Sequence, residues 1–466
     1  MNAVPMDHKL TEGPAESWPA LGLAAYHGLA GEVVRSLEPH TEADSAGLLV
    51  TFLAAAGAAL GPGPHALADG AEHPPRLNIV LVGRSSRARK GTSWAVLRRV
   101  FERADPEFFG GHVLGGLASG EGLVAAVAAA SDGPDPWRAG WLLVHEPEFA
   151  RLLKVAARSA TLSSIVREAW DGGVLSVLTR KEPLRAHGVH LGIVAHITSE
   201  ELRRSLRAVE IANGMANRFL FGLVRRSKRL PDGGTLGDDD LERLGMRVRV
   251  ALERGRDLGR VRRSREAEAY WTRLYHSFDD DVDGVVGSLT ARAEAHVLRL
   301  SVAYAALDGA TEVTVEHLAA AEAVWRYCEA SVSMLFSESE EDDLTASRLL
   351  AALAHAPRGL DGTEQRDLFS RHASGTRLAA ARRSLERRGL VVTRSEDTGG
   401  RPRLVTRLVV PPTLNNAPRA VQAATEGGGE GLWSLPSQPI QLVRSQPPQD
   451  PASVTELSTP VTEIDL

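Results

Sequence analysis

Apolar positions along the chain follow two periods, and the switches between them mark the elements. Leu21, Leu23 and Ala25, then Val33, Val34 and Leu37, then Leu48, Leu49, Phe52 and Leu53 recur at helical spacing, with Pro39-His40-Thr41 breaking the run. From Leu77 to Val82 the pattern becomes a short continuous apolar run that stops at Gly83; a polar loop follows, then a helix from about Thr92. The same strand-like run returns at 141–144, 190–196 and 219–224, each separated from the last by helical text. Runs this short favour strands over buried helix turns, and buried strands alternating with helices predict an α/β fold with a parallel sheet covered on both faces. Residues 238–337 read as helix, with stripes such as Ala295, Leu298, Val302 and Ala305, and Leu318, Ala321, Val324 and Trp325. The last patterned stretch predicts helices at 346–355, 363–372 and 377–388, strands at 390–392 and 404–409, and a turn at Thr398-Gly399-Gly400. Three helices and a hairpin make a winged helix.

These patterns divide the 466 residues into a disordered N-terminus (1–17), a helical region (18–75), an α/β core (76–237), a helical domain (238–340), a winged helix (341–411) and a disordered tail (412–466). The tail is expected to lack order because it is rich in Pro, Gln, Ser and Gly and has little to bury; its end, 461–466, reads either as a docking peptide or as a solvated terminus. With 43% hydrophobic residues and a formal charge of -5, collagen-like, wholly disordered and disulfide-scaffold classes are excluded. The single cysteine, Cys328, can form no intrachain disulfide, which suits a reducing compartment. The longest uncharged apolar stretch, 45–61, falls short of the roughly 20 residues that cross a bilayer, and the first residues lack an apolar signal core. A cytoplasmic protein with no membrane partner is expected. The histidines show neither H-E-x-x-H nor a tight cluster with acids, so a catalytic zinc is not expected.

Only five of the 54 basic side chains are lysine, and one of them, Lys90, lies in the loop between the first strand and its helix. That loop, from Gly83 through Arg84, Arg87, Arg89, Lys90 and Gly91 to Thr92 and Ser93, has what a triphosphate needs. Glycine allows close backbone approach, lysine takes the outer phosphates, and a hydroxyl holds magnesium. The spacing departs from G-x-x-x-x-G-K-[ST]: Lys90 comes one residue late, Arg89 stands in the usual glycine slot, and Gly91 precedes Thr92. A surface turn with arginines facing water is the other reading of the same residues. Glu146 ends the strand at 141–144, where an ATPase needs a carboxylate for magnesium or for the attacking water. His145 stands where aspartate is commonest, Glu148 follows two residues on, and a helix-capping role for Glu146 remains open.

Read in order, these segments resemble the ATPase module of AAA+ proteins. Within that superfamily they are similar to the minichromosome-maintenance helicases and the primase-associated ATPases of phages, plasmids and integrated elements. The resemblance rests on Ser119-Gly120-Glu121-Gly122 and the apolar run after it, on Glu146, on 163–173 with 177–181, on Asn217-Arg218-Phe219, and on 290–300. It implies a P-loop ATPase core with 238–340 as its lid, using ATP and Mg2+, the metal held by Thr92 and Glu146. It implies that Thr198 senses the terminal phosphate, that Arg218 reaches into a neighbouring subunit's ATP site, and that Arg292 is the lid arginine. It implies also that Arg180 and Lys181 form the basic tip of a hairpin that touches DNA. Fixed guanidinium groups suit this chemistry because a phosphoryl transition state spreads negative charge over its oxygens.

Between Arg371 and Arg403 there are nine arginines and three acids. Arg377, Arg382 and Arg383 fall on the third helix of the winged helix, the one that enters a major groove in helix-turn-helix proteins, and Arg401 falls in the wing. Docking of a protein partner is the alternative use of such a module. The expectation is therefore an ATP-dependent helicase, loader or replication initiator acting on DNA. It would work as a homo-oligomeric ring, encoded on a mobile element and partnered by a primase or primase-polymerase. The rival is a non-hydrolysing DNA-binding adaptor with a degenerate nucleotide site.

Overall fold

The computed structural model describes residues 18–131, 138–178, 183–206, 211, 213–278, 284–336, 340–369, 375–387, 389–396 and 403–409. Both terminal segments expected to be disordered lie outside them, as do Arg180, Lys181 and Arg401. The described residues fall into two compact units divided between Ser339 and Glu340.

In the first unit β1 (Asn78–Gly83), β2 (Val113–Leu114), β3 (Trp141–Glu146), β4 (His190–Thr198) and β5 (Leu220–Leu223) form one sheet. Their order is β2-β3-β4-β1-β5, and every neighbouring pair is parallel. Successive side chains of a strand point to opposite faces, and here the alternation sorts them into two cores. Ile79, Leu81, Leu143, Val194 and Leu220 face one core. Val80, Val82, Leu142, Val144, Ile193, Ala195 and Phe221 face the other. Because both sides are covered, the strands read as unbroken apolar runs rather than alternating ones.

Helix α1 (Gly28–Leu37) and α2 (Ser45–Leu60) cover the first face together with α3 (Lys90–Ala104). All of α2 beyond its first residue is buried, and a helix apolar all round belongs in an interior. Asp44 caps it by accepting from Ala46 N at 3.0 Å. The other face is covered by α4 (Gly120–Ser131), α5 (Phe149–Arg158) and α6 (Ala160–Asp171). Short α7 (Ser199–Ser205) follows β4, and α8 (Asp238–Arg256), α9 (Ala293–Leu307) and α10 (Val315–Phe336) are the longest helices of the unit after the sheet.

Several features of this unit depart from the sequence pattern, β2 among them. A hairpin, Ala66–Ala68 with Ala71–His73, turns through Asp69 and Gly70, both with positive φ. The expected helix through 290–300 is two: Gly284–Thr290 ends before Arg292, and α9 starts after it. Among the described residues no helix is long and apolar enough to cross a membrane.

The second unit holds α11 (Glu340–Ala354), α12 (Gly362–Leu368) and α13 (Gly375–Arg387) with an antiparallel sheet. The sheet is three-stranded, not the expected hairpin alone. β6 (Leu360–Asp361) joins β7 (Val391–Glu396) and β8 (Arg403–Leu408) in the order β6-β8-β7. Ala346, Leu349, Leu353, Ala381, Leu385 and Val391 make its core. Buried Gln365 ties α12 to the sheet, its Nε2 donating to Leu360 O at 2.9 Å and to Thr406 Oγ1 at 3.1 Å.

Candidate functional site

The loop after β1 doubles back on itself: a Cβ at Gly83 would stand 2.4 Å from Ala88 Cβ, so only glycine fits. A single 3-10 turn, Ser86–Ala88, leads to Arg89, whose φ of 57° is left-handed. The residue in the glycine slot thus adopts the conformation glycine favours, at a cost for an L-residue of roughly 1–2 kcal/mol. The Arg89 carbonyl accepts from Thr92 N at 3.0 Å and Ser93 N at 3.3 Å, opening α3, and its side chain pairs with Glu42 at 2.6 Å. Lys90 is the first residue of α3, and its Nζ donates to Ser85 O at 3.2 Å, over the loop. Burial lowers the Lys90 pKa, while the nearby charges of Glu201 and Glu148 oppose that. Thr92 is half-buried and Gly91 exposed. Ser93 is buried, with its Oγ 3.2 Å from where a Cβ at Gly47 of α2 would stand, so its hydroxyl faces that helix and not the loop.

Gly83 pairs with Thr198 in the β1–β4 register, so the loop and the expected sensor leave the sheet side by side. Thr198 caps α7 through a capping box. Its Oγ1 donates to Glu201 Oε2 at 2.8 Å and accepts from Glu201 N at 3.2 Å. Glu146, at the end of β3 on the far side of β4, is buried; its Oε2 takes Arg151 NH2 at 2.7 Å and its Oε1 accepts from Glu148 N at 3.4 Å. His145 points to the opposite face from Glu146, as neighbours in a strand must. It stacks on Trp94 at 4.5 Å and meets His196 edge-on at 5.2 Å. Burial and then the charge of Arg98 push its pKa down to about 4; burial, then His145 and Lys90, push that of His196 to about 3. Both rings are therefore neutral at pH 7, and His145 supplies no carboxylate.

Arg218 and Arg292 lie elsewhere. Arg218 precedes β5 and is buried, donating to Asp171 Oδ2 at 2.8 Å and to Gly214 O at 2.7 Å. Arg292 Nε donates to Asn217 Oδ1 at 3.2 Å. Three guanidinium groups gather on the indole of Trp170: Arg299 at 3.5 Å from the ring centre, Arg292 at 5.3 Å and Arg218 at 5.6 Å. Arg299 is fully buried, and burial first, then Arg76, drives its pKa well down. Arg76, just before β1, donates to the carbonyls of Ala169 at 2.9 Å and Trp170 at 2.8 Å. This cluster sits at the amino ends of the strands. Lys90, Glu146 and Thr198 sit at the carboxyl ends, about 17 Å away along a six-residue strand. One chain therefore does not bring these arginines to the loop after β1, and the Arg218 side chain is turned inward to Asp171.

In the second unit Arg382 is half-buried and Arg383 exposed on α13. Arg377 lies on the same helix, with its side chain outside the described residues. Arg403 pairs with Asp361 at 3.3 Å, and Arg407 pairs with Glu396.

Sequence reading missed Glu201 and Arg151 beside the carboxyl ends. Glu201 was legible, since Thr198-Ser199-Glu200-Glu201 is a capping-box string before a helix. It also missed a cluster of His27, Asp308 and His317, whose ligand atoms lie within 4.8 Å of one another. Thr314 N donates to His317 Nδ1 at 3.0 Å, which leaves the ring proton on Nε2, facing Asp308 Oδ2 at 3.3 Å. His27 Nε2 reaches the same oxygen at 2.9 Å. The three groups form a hydrogen-bonded clasp between the start of α1 and the end of α9, with no free nitrogen of His317 turned inward for a metal. Comparison with known protein families and with curated proteins finds none that matches this chain.

Proposed function

We propose that this chain is an ATP-binding, DNA-acting ATPase of the AAA+ type, as a helicase, loader or initiator would be. The observation that carries the reading is the adjacency of Gly83 and Thr198 at the carboxyl ends of β1 and β4, with Lys90 and the first turn of α3 opening beside them. Ligands of open α/β sheets bind outside the carboxyl ends of the strands. A helix start offers unpaired N–H groups and the positive end of its dipole to a phosphate. Lys90 would leave Ser85 O for a phosphate oxygen, Thr198 would stand beside the terminal phosphate, and Glu146 would orient water once Arg151 releases it. The hydroxyl of Thr92 and the carboxylates of Glu146 and Glu148 are hard oxygen donors of the kind Mg2+ takes. When bound, that ion would neutralise charge on the phosphates. The three helices and antiparallel sheet of the second unit fit a winged helix, with Arg382 and Arg383 toward DNA and Arg180 and Lys181 as a second contact. In a homo-oligomeric ring Arg218 would have to leave Asp171, and Arg292 would have to leave Asn217, to serve the neighbouring copy. A primase or primase-polymerase would be the working partner.

Purified protein assayed for DNA-stimulated phosphate release tests this. Lys90→Ala and Glu146→Gln should each cost about a hundredfold or more in turnover, the second without loss of nucleotide binding. Turnover unaffected by both would sink the reading. The pairing of Glu146 with Arg151 and of Arg218 with Asp171 favours the adaptor as second reading: nucleotide would bind without turnover, and Glu146→Gln would behave as the parent. In either case Arg382→Ala with Arg383→Ala should weaken DNA binding at moderate salt.

A further inference from the structure

A second basic site adjoins the phosphate loop. Arg87, from the loop after β1, and Arg226, Ser227, Lys228 and Arg229, from the segment after β5, line a groove of about 400 Å³. β1 and β5 are neighbours in the sheet, which is why these two loops meet. Four of the five lining residues are cationic and none is acidic, in a chain whose formal charge is -5. Two of the cations are neutralised: Lys228 pairs with Glu38 at 2.5 Å and Arg226 with Glu42 at 3.5 Å. Among the described residues Arg87 and Arg229 have no ion pair, and both are exposed. Lys90, Thr92, Glu146 and Thr198 do not line the groove, so it is not the nucleotide position proposed above.

We infer that this groove holds the phosphodiester backbone of a nucleic acid strand, without reading its sequence. A metal-bound triphosphate calls for a free carboxylate beside the phosphates; among the described residues those that meet the lining cations, Glu38 and Glu42, are held by Lys228 and by Arg226 and Arg89. Cations spread over two loops match a run of singly charged phosphates. Among the described residues no aromatic ring lines it, so bases have no stacking platform and only the backbone is gripped. The groove is joined to the phosphate loop through Glu42, which takes Arg226, accepts from Leu230 N at 2.9 Å and holds Arg89 at 2.6 Å, one residue before Lys90. A strand that draws Arg226 away from Glu42 leaves that carboxylate to Arg89 alone, linking occupancy to the loop.

The test is fluorescence anisotropy of the full chain with a labelled single-stranded deoxyoligonucleotide across a salt series. Arg87→Ala with Arg229→Ala should lower affinity at moderate salt by about tenfold or more and reduce the slope of log K against log salt by about 2. Arg87→Lys with Arg229→Lys should keep most of both. Among the described residues neither has an ion pair to lose, so the alanine variant should melt with the parent. An unchanged slope in that variant, or binding of the oligonucleotide only through Arg382 and Arg383, would overturn the assignment. So would a variant that loses Mg-ATP binding while holding the oligonucleotide as before.

Discussion

Arg89 is the residue at which the loop departs most from expectation and yet obeys its physics. Its left-handed backbone is the one that a glycine in that slot would adopt freely, and the pair with Glu42 is an interaction glycine could not make. Arg89→Ala and Arg89→Gly both delete that pair, so their difference isolates the backbone. The glycine variant should be the more stable by about 1 kcal/mol in urea denaturation. Equal midpoints would mean the loop relaxes. The buried histidines make a second prediction. His190 donates to Gly57 O at 2.8 Å, and burial, then Arg76, holds its pKa down at about 3. The unfolded chain, titrating near 6.5, takes up the proton first as pH falls. The stability that neutral His190 preserves is therefore complete above about 6.5 and is lost toward pH 3, with a slope of at most about 1.4 kcal/mol per pH unit. His190→Gln, which keeps a donor for Gly57 O, should flatten the fall of unfolding free energy between pH 6.5 and 4.

At the scale of elements, the sequence was most legible where a run of residues shares one environment. The unbroken apolar runs of β1, β3 and β4 stood out because both faces of the sheet are covered. β2 was hidden because two residues at a sheet edge make no pattern, and β6 for the same reason. The Ala66–Ala68 hairpin was missed despite its Asp69-Gly70 turn, a recognised signal, since its strands lack alternation long enough to register. Around the candidate site, the apolar runs put Lys90, Glu146 and Thr198 at or just after the ends of strands, and parallel pairing brings those ends to one edge of the sheet. Partnership was not legible: that Glu146 meets Arg151, or that Arg218 turns to Asp171, depends on packing in three dimensions. The buried helix α2 offers a direct check on that packing. A Cβ at Gly57 would stand 2.1 Å from Pro75 O, a backbone atom with little room to move. Gly57→Ala should therefore destabilise by about 1–3 kcal/mol or more, read from the urea midpoint.

At the scale of the whole molecule, the division between Ser339 and Glu340 gives two units, each with its own core. Calorimetry should resolve two transitions, and a chain ending at residue 339 should keep one of them at its original temperature. A single transition that disappears on truncation would contradict the division. The placement of Arg218 and Arg292 at the amino rim, a strand's length from Lys90, has a kinetic consequence under the proposed function. An isolated copy is incomplete, so specific activity should climb as the preparation is concentrated and fade on dilution. Two inert preparations, one Lys90→Ala and the other Arg218→Ala, should regain turnover when mixed, since some junctions then join an intact loop to an intact arginine.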